Sequence, residues 1–129
     1  MPSQTYVGRV FFIIKENTMA KLKLIADPTF QATVKIPLAG AEPYPVVFTF
    51  KHRERKALDA WVKVSVQDTP EIDPIDTDLK MVKDVATGWD LEDAFTDENI
   101  TQLLNSYAGS AMAIYQAYLT ELRLGKQKN

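Results

Sequence analysis

The sequence contains no cysteine and a single histidine, His52. Without cysteine, the chain can form no disulfide, no thiolate metal site and no cysteine nucleophile. Histidine is the usual acid–base group near neutral pH and a common metal ligand, so one histidine leaves little room for such chemistry. A glycine-rich phosphate loop, a Ser–His–Asp set and paired carboxylates in an apolar setting are also missing. We therefore expect a protein that is not an enzyme and that binds neither a cofactor nor a metal.

Long apolar runs are absent as well. The longest covers residues 10–14, whereas a membrane-spanning helix needs about 20 apolar residues. That stretch is also too short for the apolar region of a signal peptide. One basic run occupies residues 51–56, but the isoelectric point is near 5.4 and nucleic-acid-binding domains usually exceed about 9. These features predict a soluble intracellular protein that binds neither a membrane nor nucleic acid.

The composition is that of one globular domain, with 129 residues, 46% of them apolar and 25% charged. The net charge of −2 is unevenly divided, because residues 1–66 carry +5 and residues 67–129 carry −7. Such asymmetry can orient partners or favour head-to-tail association between copies. It can equally be neutralised within one fold.

Two segments have the alternation of half-buried strands. Residues 29–38 place apolar side chains at every second position, and Pro37 favours an edge position because it lacks a backbone donor. Residues 46–51 alternate in the same way. The pair predicts an antiparallel hairpin with a loop of about six residues.

Three helices are expected after the hairpin. The first covers residues 53–66, although residues 61–66 also alternate like a strand. The second begins at Asp76 or Thr77 and runs to Ala86. The third begins after Thr96 and continues for about 25 residues with apolar side chains every three or four positions. Gly109 lies in its middle and indicates either close approach of another helix or a kink. The fold class predicted is α+β: a hairpin or small antiparallel sheet, then three helices with the C-terminal one longest.

The N-terminal segment differs from the rest. Met19-Ala20-Lys21 has the features of a second possible start. Residues 1–18 are therefore either an extension upstream of the native start or the site of a strand at residues 6–14. We interpret residues 1–18 as an N-terminal extension and residues 19–129 as a single domain.

A recognisable order of residues follows in the second half of the chain: Thr87-Gly88-Trp89-Asp90-Leu91, Phe95-Thr96, Asn99, Leu103-Leu104, Tyr107 and Ala111. It resembles the tail assembly chaperones of long-tailed, siphovirus-type bacteriophages. The likeness runs from about Lys21 to Gly125. The pattern of this family begins near Met19, so residues 1–18 depart from it.

The resemblance implies a non-enzymatic assembly factor. It would bind the tape measure protein before the tail tube protein polymerises, act in the host cell cytoplasm and be absent from the mature virion. The alternative is a structural head–tail or tail-terminator component that stays in the virion.

Four residues of the motif have a structural interpretation. Gly88 is expected to end the second helix and Trp89 to be a large buried anchor. Asp90 is expected to accept hydrogen bonds at a cap or turn. Phe95 is expected to pack across the helix start near Ile100 as a hydrophobic staple.

Partner binding is expected on exposed apolar surface, and the candidates are Tyr115, Tyr118 and Leu122. A helix of about 25 residues would be about 37 Å long, whereas a compact domain of this size has a radius of gyration near 14 Å. We therefore expect part of the stripe at residues 111–122 to be exposed or buried against another copy, and we expect self-association.

Overall fold

Three antiparallel strands and four helices make up the part of the chain that the computed structural model describes, residues 22–65 and 74–125. In chain order they are β1 Thr29–Leu38, β2 Ala41–Lys51, α1 Arg55–Ser65, α2 Pro74–Val85, β3 Ala86–Trp89, α3 Asp97–Ser106 and α4 Ser110–Leu124. The predicted α+β class is confirmed, as is a C-terminal helix longer than the others. The predicted number of three helices is wrong. Residues 1–18, expected to be an extension, lie outside the described residues.

The hairpin of β1 and β2 is tighter than expected. Their register runs from Thr29 opposite Lys51 to Leu38 opposite Ala41, so only Ala39 and Gly40 connect the strands. Gly40 has φ of 72°, which glycine adopts without the steric penalty of a Cβ. The predicted loop of about six residues is therefore wrong, because residues 41–45 continue the strand despite their two prolines.

The hydrophobic core lies on one face of this sheet. The inward residues of β1 and β2 are almost fully buried: Ala32, Val34, Ile36, Val46, Phe48 and Phe50. Gln31, Thr33 and Lys35 are exposed on the opposite face of β1. The strand order β1-β2-β3 also places β1 at an edge, as Pro37 predicts. The alternation of each segment thus identifies its buried face correctly.

A third strand replaces the expected end of the second helix. α2 stops at Val85, and β3 begins at the next residue and pairs with β2, Gly88 opposite Thr49 and Trp89 opposite Phe48. The interpretation of Gly88 as a helix stop is therefore wrong. Pairing with β2 provides the hydrogen bonds that a capped helix end would otherwise need.

The long C-terminal helix is in fact two helices. α3 ends where the Tyr107 N–H donates to the Leu103 carbonyl, and the Ser110 N–H donates to the Tyr107 carbonyl as α4 begins. At Gly109 a Cβ would lie 3.0 Å from Cγ of Pro37. Of the two explanations for this glycine, the break in the helix is confirmed, but the close neighbour is a strand residue and not another helix. The estimated length of about 37 Å for one helix therefore does not apply.

α4 covers the sheet and completes the core. Ile114 and Tyr118 are fully buried against β1 and β2, and the Tyr118 ring lies 5.3 Å from the Phe50 ring, centroid to centroid. Helices α1, α2 and α3 contribute further buried residues: Leu58, Val82, Val85, Ile100 and Leu104. Of the stripe at residues 111–122, Ile114 and Tyr118 are buried within a single chain, whereas Leu119 and Leu122 are half-buried.

Candidate functional site

An open groove of about 790 Å³ lies at the turn end of the sheet. Its walls come from three places: the hairpin, the loop after β3 and the C-terminal part of α3. The lining residues are Ile36, Leu38, Tyr44, Pro45, Val46, Trp89, Asp90, Leu91, Glu92, Asp93, Asn99, Gln102, Leu103, Ser106 and Tyr107. We call this site the acidic groove. Its volume falls within the range of about 300–1,000 Å³ that ligand-binding clefts usually have.

The loop after β3 is held in place by paired hydrogen bonds. The Asp90 N–H donates to the Val47 carbonyl, and the Val47 N–H donates to Oδ1 of Asp90, both over 3.0 Å. Asp90 thus accepts a hydrogen bond at a turn, as its type and position suggest. The Trp89 indole N–H donates to the Asp93 carbonyl over 2.7 Å. These contacts fix the loop that carries the groove's acidic residues.

Trp89 forms the floor of the groove and is half-buried. Its ring packs edge-on against Phe48 and Phe95, with centroid distances of 5.9 and 5.0 Å. Phe95 is half-buried as well and, as the residue before the Thr96 N-cap, it braces Trp89. Trp89 therefore packs as an anchor but is half-buried, whereas a fully buried anchor was expected, and part of its surface remains exposed.

α3 supplies the opposite wall. Its start is fixed by Thr96, whose Oγ1 accepts the Asn99 N–H over 3.2 Å, and by the Asn99 side-chain amide, which donates to the Ala94 carbonyl over 2.8 Å. The predicted N-cap at Thr96 is confirmed. At the other end Tyr107 is 39% exposed because the helix stops there.

The groove is electrostatically negative. Asp90, Glu92 and Asp93 are exposed along one rim, and none of the described residues that line the groove is lysine or arginine. The last turn of α3 contains no basic residue. The three carboxylates give the groove a preference for positively charged ligands.

Six residues of the motif that resembles the chaperone family line the acidic groove: Trp89, Asp90, Leu91, Asn99, Leu103 and Tyr107. They are distributed over a strand, a loop and a helix, and only the fold brings them together. The sequence did not identify Tyr44, which is 55% exposed on the hairpin wall. Its neighbours Pro43 and Pro45 are typical of a turn, so the sequence did not predict the strand on which Tyr44 lies.

The three predicted partner-binding residues lie elsewhere, on α4. Tyr118 has no exposed surface, and Tyr115 is half-buried with its ring 5.8 Å from the Trp61 ring. Leu122 is half-buried beside a shallow second hollow of about 380 Å³ that Phe30 also lines. None of the three lines the acidic groove. Tyr118 is therefore a core residue of the single chain.

A hydrogen-bonded cluster surrounds Tyr118. Nη1 of Arg53 donates to the Tyr118 hydroxyl over 2.9 Å and to the Asp84 carbonyl over 3.0 Å. The Tyr118 hydroxyl in turn donates to the Lys51 carbonyl over 2.8 Å. The guanidinium also lies 4.9 Å from the centroid of the Trp61 ring. The cluster joins β2, α1, α2 and α4, so we assign it a structural role.

Burial perturbs two acidic groups. It raises the pKa of Tyr118, an effect that the hydrogen bond and positive charge of Arg53 partly oppose. Burial also raises the pKa of Asp78 on α2. Neither group lines the acidic groove, so neither shift indicates acid–base chemistry there.

Residues 22–65 and 74–125 contain no cluster of three or more histidine, aspartate or glutamate side chains placed to hold a metal ion. Within those ranges no helix has the length and apolar character required to cross a membrane.

The comparisons with known proteins agree with the motif. A family model described as phage tail assembly chaperone matches residues 19–129. No curated protein and no solved structure matches the chain significantly. Because the matched region covers most of the chain, including every element described above, this chain belongs to the phage tail assembly chaperone family.

Proposed function

We propose that this protein is a non-enzymatic tail assembly chaperone that binds the tape measure protein and promotes assembly of the tail tube around it. The observation that carries the proposal is the family match over residues 19–129. The acidic groove supports it, since a binding protein needs an accessible concave surface with apolar and polar contacts. The groove also exposes tyrosine and tryptophan surface of the kind that is enriched at protein interfaces.

Co-expression tests the proposal directly. The tape measure protein of the same phage is expressed alone, with this chain, and with an unrelated soluble protein of similar size. We expect the tape measure protein to become soluble only with this chain and to co-purify with it. Equal solubility in all three cultures would contradict the proposal.

The location of the protein separates the proposal from its alternative. A chaperone is expected in the host cell cytoplasm and not in the finished particle, whereas a head–tail or tail-terminator component stays in the virion. Quantitative mass spectrometry of purified virions and of the infected-cell lysate distinguishes the two. Recovery of this chain in virions at a fixed ratio to the tail tube protein would favour the structural component.

Self-association remains part of the proposal. The stripe on α4 is only partly buried within one chain, since Leu119 and Leu122 are half-buried and Met112 beside them is 61% exposed, which leaves apolar surface for a second copy. The charge division of +5 and −7 between the two halves still favours head-to-tail contacts at low salt. Light scattering over a dilution series, at two salt concentrations, measures the oligomeric state. A strict monomer under every condition would contradict the proposed self-association.

A further inference from the structure

We propose that the acidic groove binds an amphipathic helix of the partner that carries lysine or arginine next to its apolar anchor residues. The inference deepens the proposed function and rests on it, since it names the chemistry of the segment that the chaperone recognises. It follows from three features of the groove: an aromatic and aliphatic floor, a negative rim and an adjacent strand edge that lacks a backbone donor at Pro45.

The floor suits apolar side chains. Trp89, Leu91 and Leu103 are half-buried and line the groove, and their remaining surface faces the open space. Tyr44 and Tyr107 stand on opposite walls with 55% and 39% of their surface exposed. Tyrosine and tryptophan are the residue types that most often provide binding energy at interfaces. A helix binds such a groove through apolar anchors three and four residues apart.

The rim selects for positive charge. Asp90, Glu92 and Asp93 lie in the loop after β3, and no lysine or arginine is among the described residues that line the groove. Carboxylates at the rim act chiefly on association rate and specificity, and their effect weakens as salt increases. An anchor helix flanked by acidic residues would meet like charge at this rim.

The neighbouring strand edge argues against a β-strand as the ligand. The Val47 N–H points toward Asp90, away from β1. Because successive strand residues face alternate edges, the backbone of Pro45, two residues before Val47, faces the same way. Proline has no N–H, so this edge of β2 lacks a donor that strand addition would use. Recognition of a helix uses side chains and needs no such donor.

Two designed peptides serve as probes. Both are helical and carry leucines three and four residues apart; one has lysines flanking the leucines, and the other has glutamates at the same positions. We expect the lysine peptide to bind and to shift the amide resonances of residues 89–93 and 99–107 in an NMR titration. We expect binding by the glutamate peptide to be at least about tenfold weaker, and both affinities to converge as salt increases.

Charge reversal in the chain provides a matched test. Glu92→Lys/Asp93→Lys should weaken binding of the lysine peptide at least about tenfold and improve binding of the glutamate peptide. The control is Glu54→Lys/Asp59→Lys, which makes the same change in net charge at exposed residues that do not line the groove. Tyr44→Ala should weaken both peptides, because it removes apolar contact and no charge. Thermal melts confirm that each variant is folded.

Several results would overturn the inference. These are binding of neither peptide, equal binding of both, loss of binding in the Glu54/Asp59 control, and resonance shifts confined to the exposed apolar residues Leu22, Leu24 and Ile25. Shifts of the groove resonances on raising the protein concentration alone would show that a second copy is the occupant. Co-expression separates the two proposals. If the Glu92→Lys/Asp93→Lys chain still solubilises the tape measure protein, only the proposed role of the acidic groove is refuted. If the unaltered chain fails to solubilise it, the proposed chaperone function is refuted.

Discussion

Replacement of Tyr118 by phenylalanine isolates one buried hydroxyl and its two hydrogen bonds. The hydroxyl accepts from Arg53 over 2.9 Å and donates to the Lys51 carbonyl over 2.8 Å. The ring contacts remain in Tyr118→Phe, since the Phe50 and Trp61 rings at 5.3 and 5.7 Å still have a partner. No cavity opens, because only one atom is removed. The substitution therefore reports on the polar contacts by themselves.

The expected loss of stability is about 2–3 kcal/mol. A hydrogen bond between neutral groups contributes about 0.5–1.5 kcal/mol and one to a charged group about 1.5–3. Arg53 retains its hydrogen bond to the Asp84 carbonyl and its position over the Trp61 ring. The expected loss is therefore smaller than the upper limit obtained by adding the two hydrogen-bond contributions. With an unfolding entropy of about 2.1 cal/mol/K per residue, the loss corresponds to a fall in Tm of roughly 7–12 °C.

Urea denaturation followed by circular dichroism measures this change, and Tyr115→Phe is the matched control. Tyr115 lies on the same helix, and its hydroxyl makes no hydrogen bond to any residue that the structure describes, so removing it should change the free energy of unfolding by less than about 0.5 kcal/mol. If Tyr118→Phe is as stable as the unaltered chain, or if Tyr115→Phe is equally destabilised, the assignment of a structural polar cluster is wrong.

Four further predictions concern stability. The raised pKa of Tyr118 means that the folded state binds the hydroxyl proton more tightly than the unfolded state does. The contribution of Tyr118 to stability should therefore fall as pH rises above about 10. In urea titrations, the difference in unfolding free energy between the unaltered chain and Tyr118→Phe should shrink over that range. Trp89→Ala should cost about 3 kcal/mol, at the low end for aromatic residues because the ring is half-buried; a loss below 1 kcal/mol in thermal denaturation would show that its ring packing is weak. Gly109→Ala should be destabilising by roughly 1 kcal/mol through the approach to Pro37, and a double-mutant cycle with Pro37→Ala should recover that loss; independent effects would contradict the contact. A chain beginning at Met19 should melt within a few degrees of the full chain, and a loss of several kcal/mol would place residues 10–14 in the core.

Periodicity within one segment was enough to predict several elements of the fold. The alternation in residues 29–38 and 46–51 identified both buried faces, because side chains of a strand point to opposite sides at every step. Thr96 identified the start of a helix, because its hydroxyl caps an N–H only three residues away. These features depend on contacts within a few residues, which the local sequence specifies.

The site could be predicted only in part. Trp89, Asp90 and Tyr107 belong to the motif that indicates the family, yet the chemistry of Trp89 and Asp90 predicted only a core anchor and a turn acceptor. Their shared role as lining of one groove depends on the pairing of Trp89 with Phe48 and on the end of α3. Tyr44 gave no signal, because the prolines beside it are typical of a turn.

The tertiary structure decided where the elements end. Residues 86–89 form a strand because β2, about 40 positions earlier, offers a free edge, and their own sequence is equally consistent with a capped helix. The C-terminal helix divides before Gly109. Pro37 of β1 lies so close that a Cβ at Gly109 would be 3.0 Å from its Cγ, a contact that no local pattern encodes. Tyr118 became a core residue for the same reason, since its hydrogen-bond partners come from β2 and from the segment before α1. The sequence by itself determined which residues are apolar and how they repeat; long-range packing determined which of them the fold buries and which it leaves to line the groove.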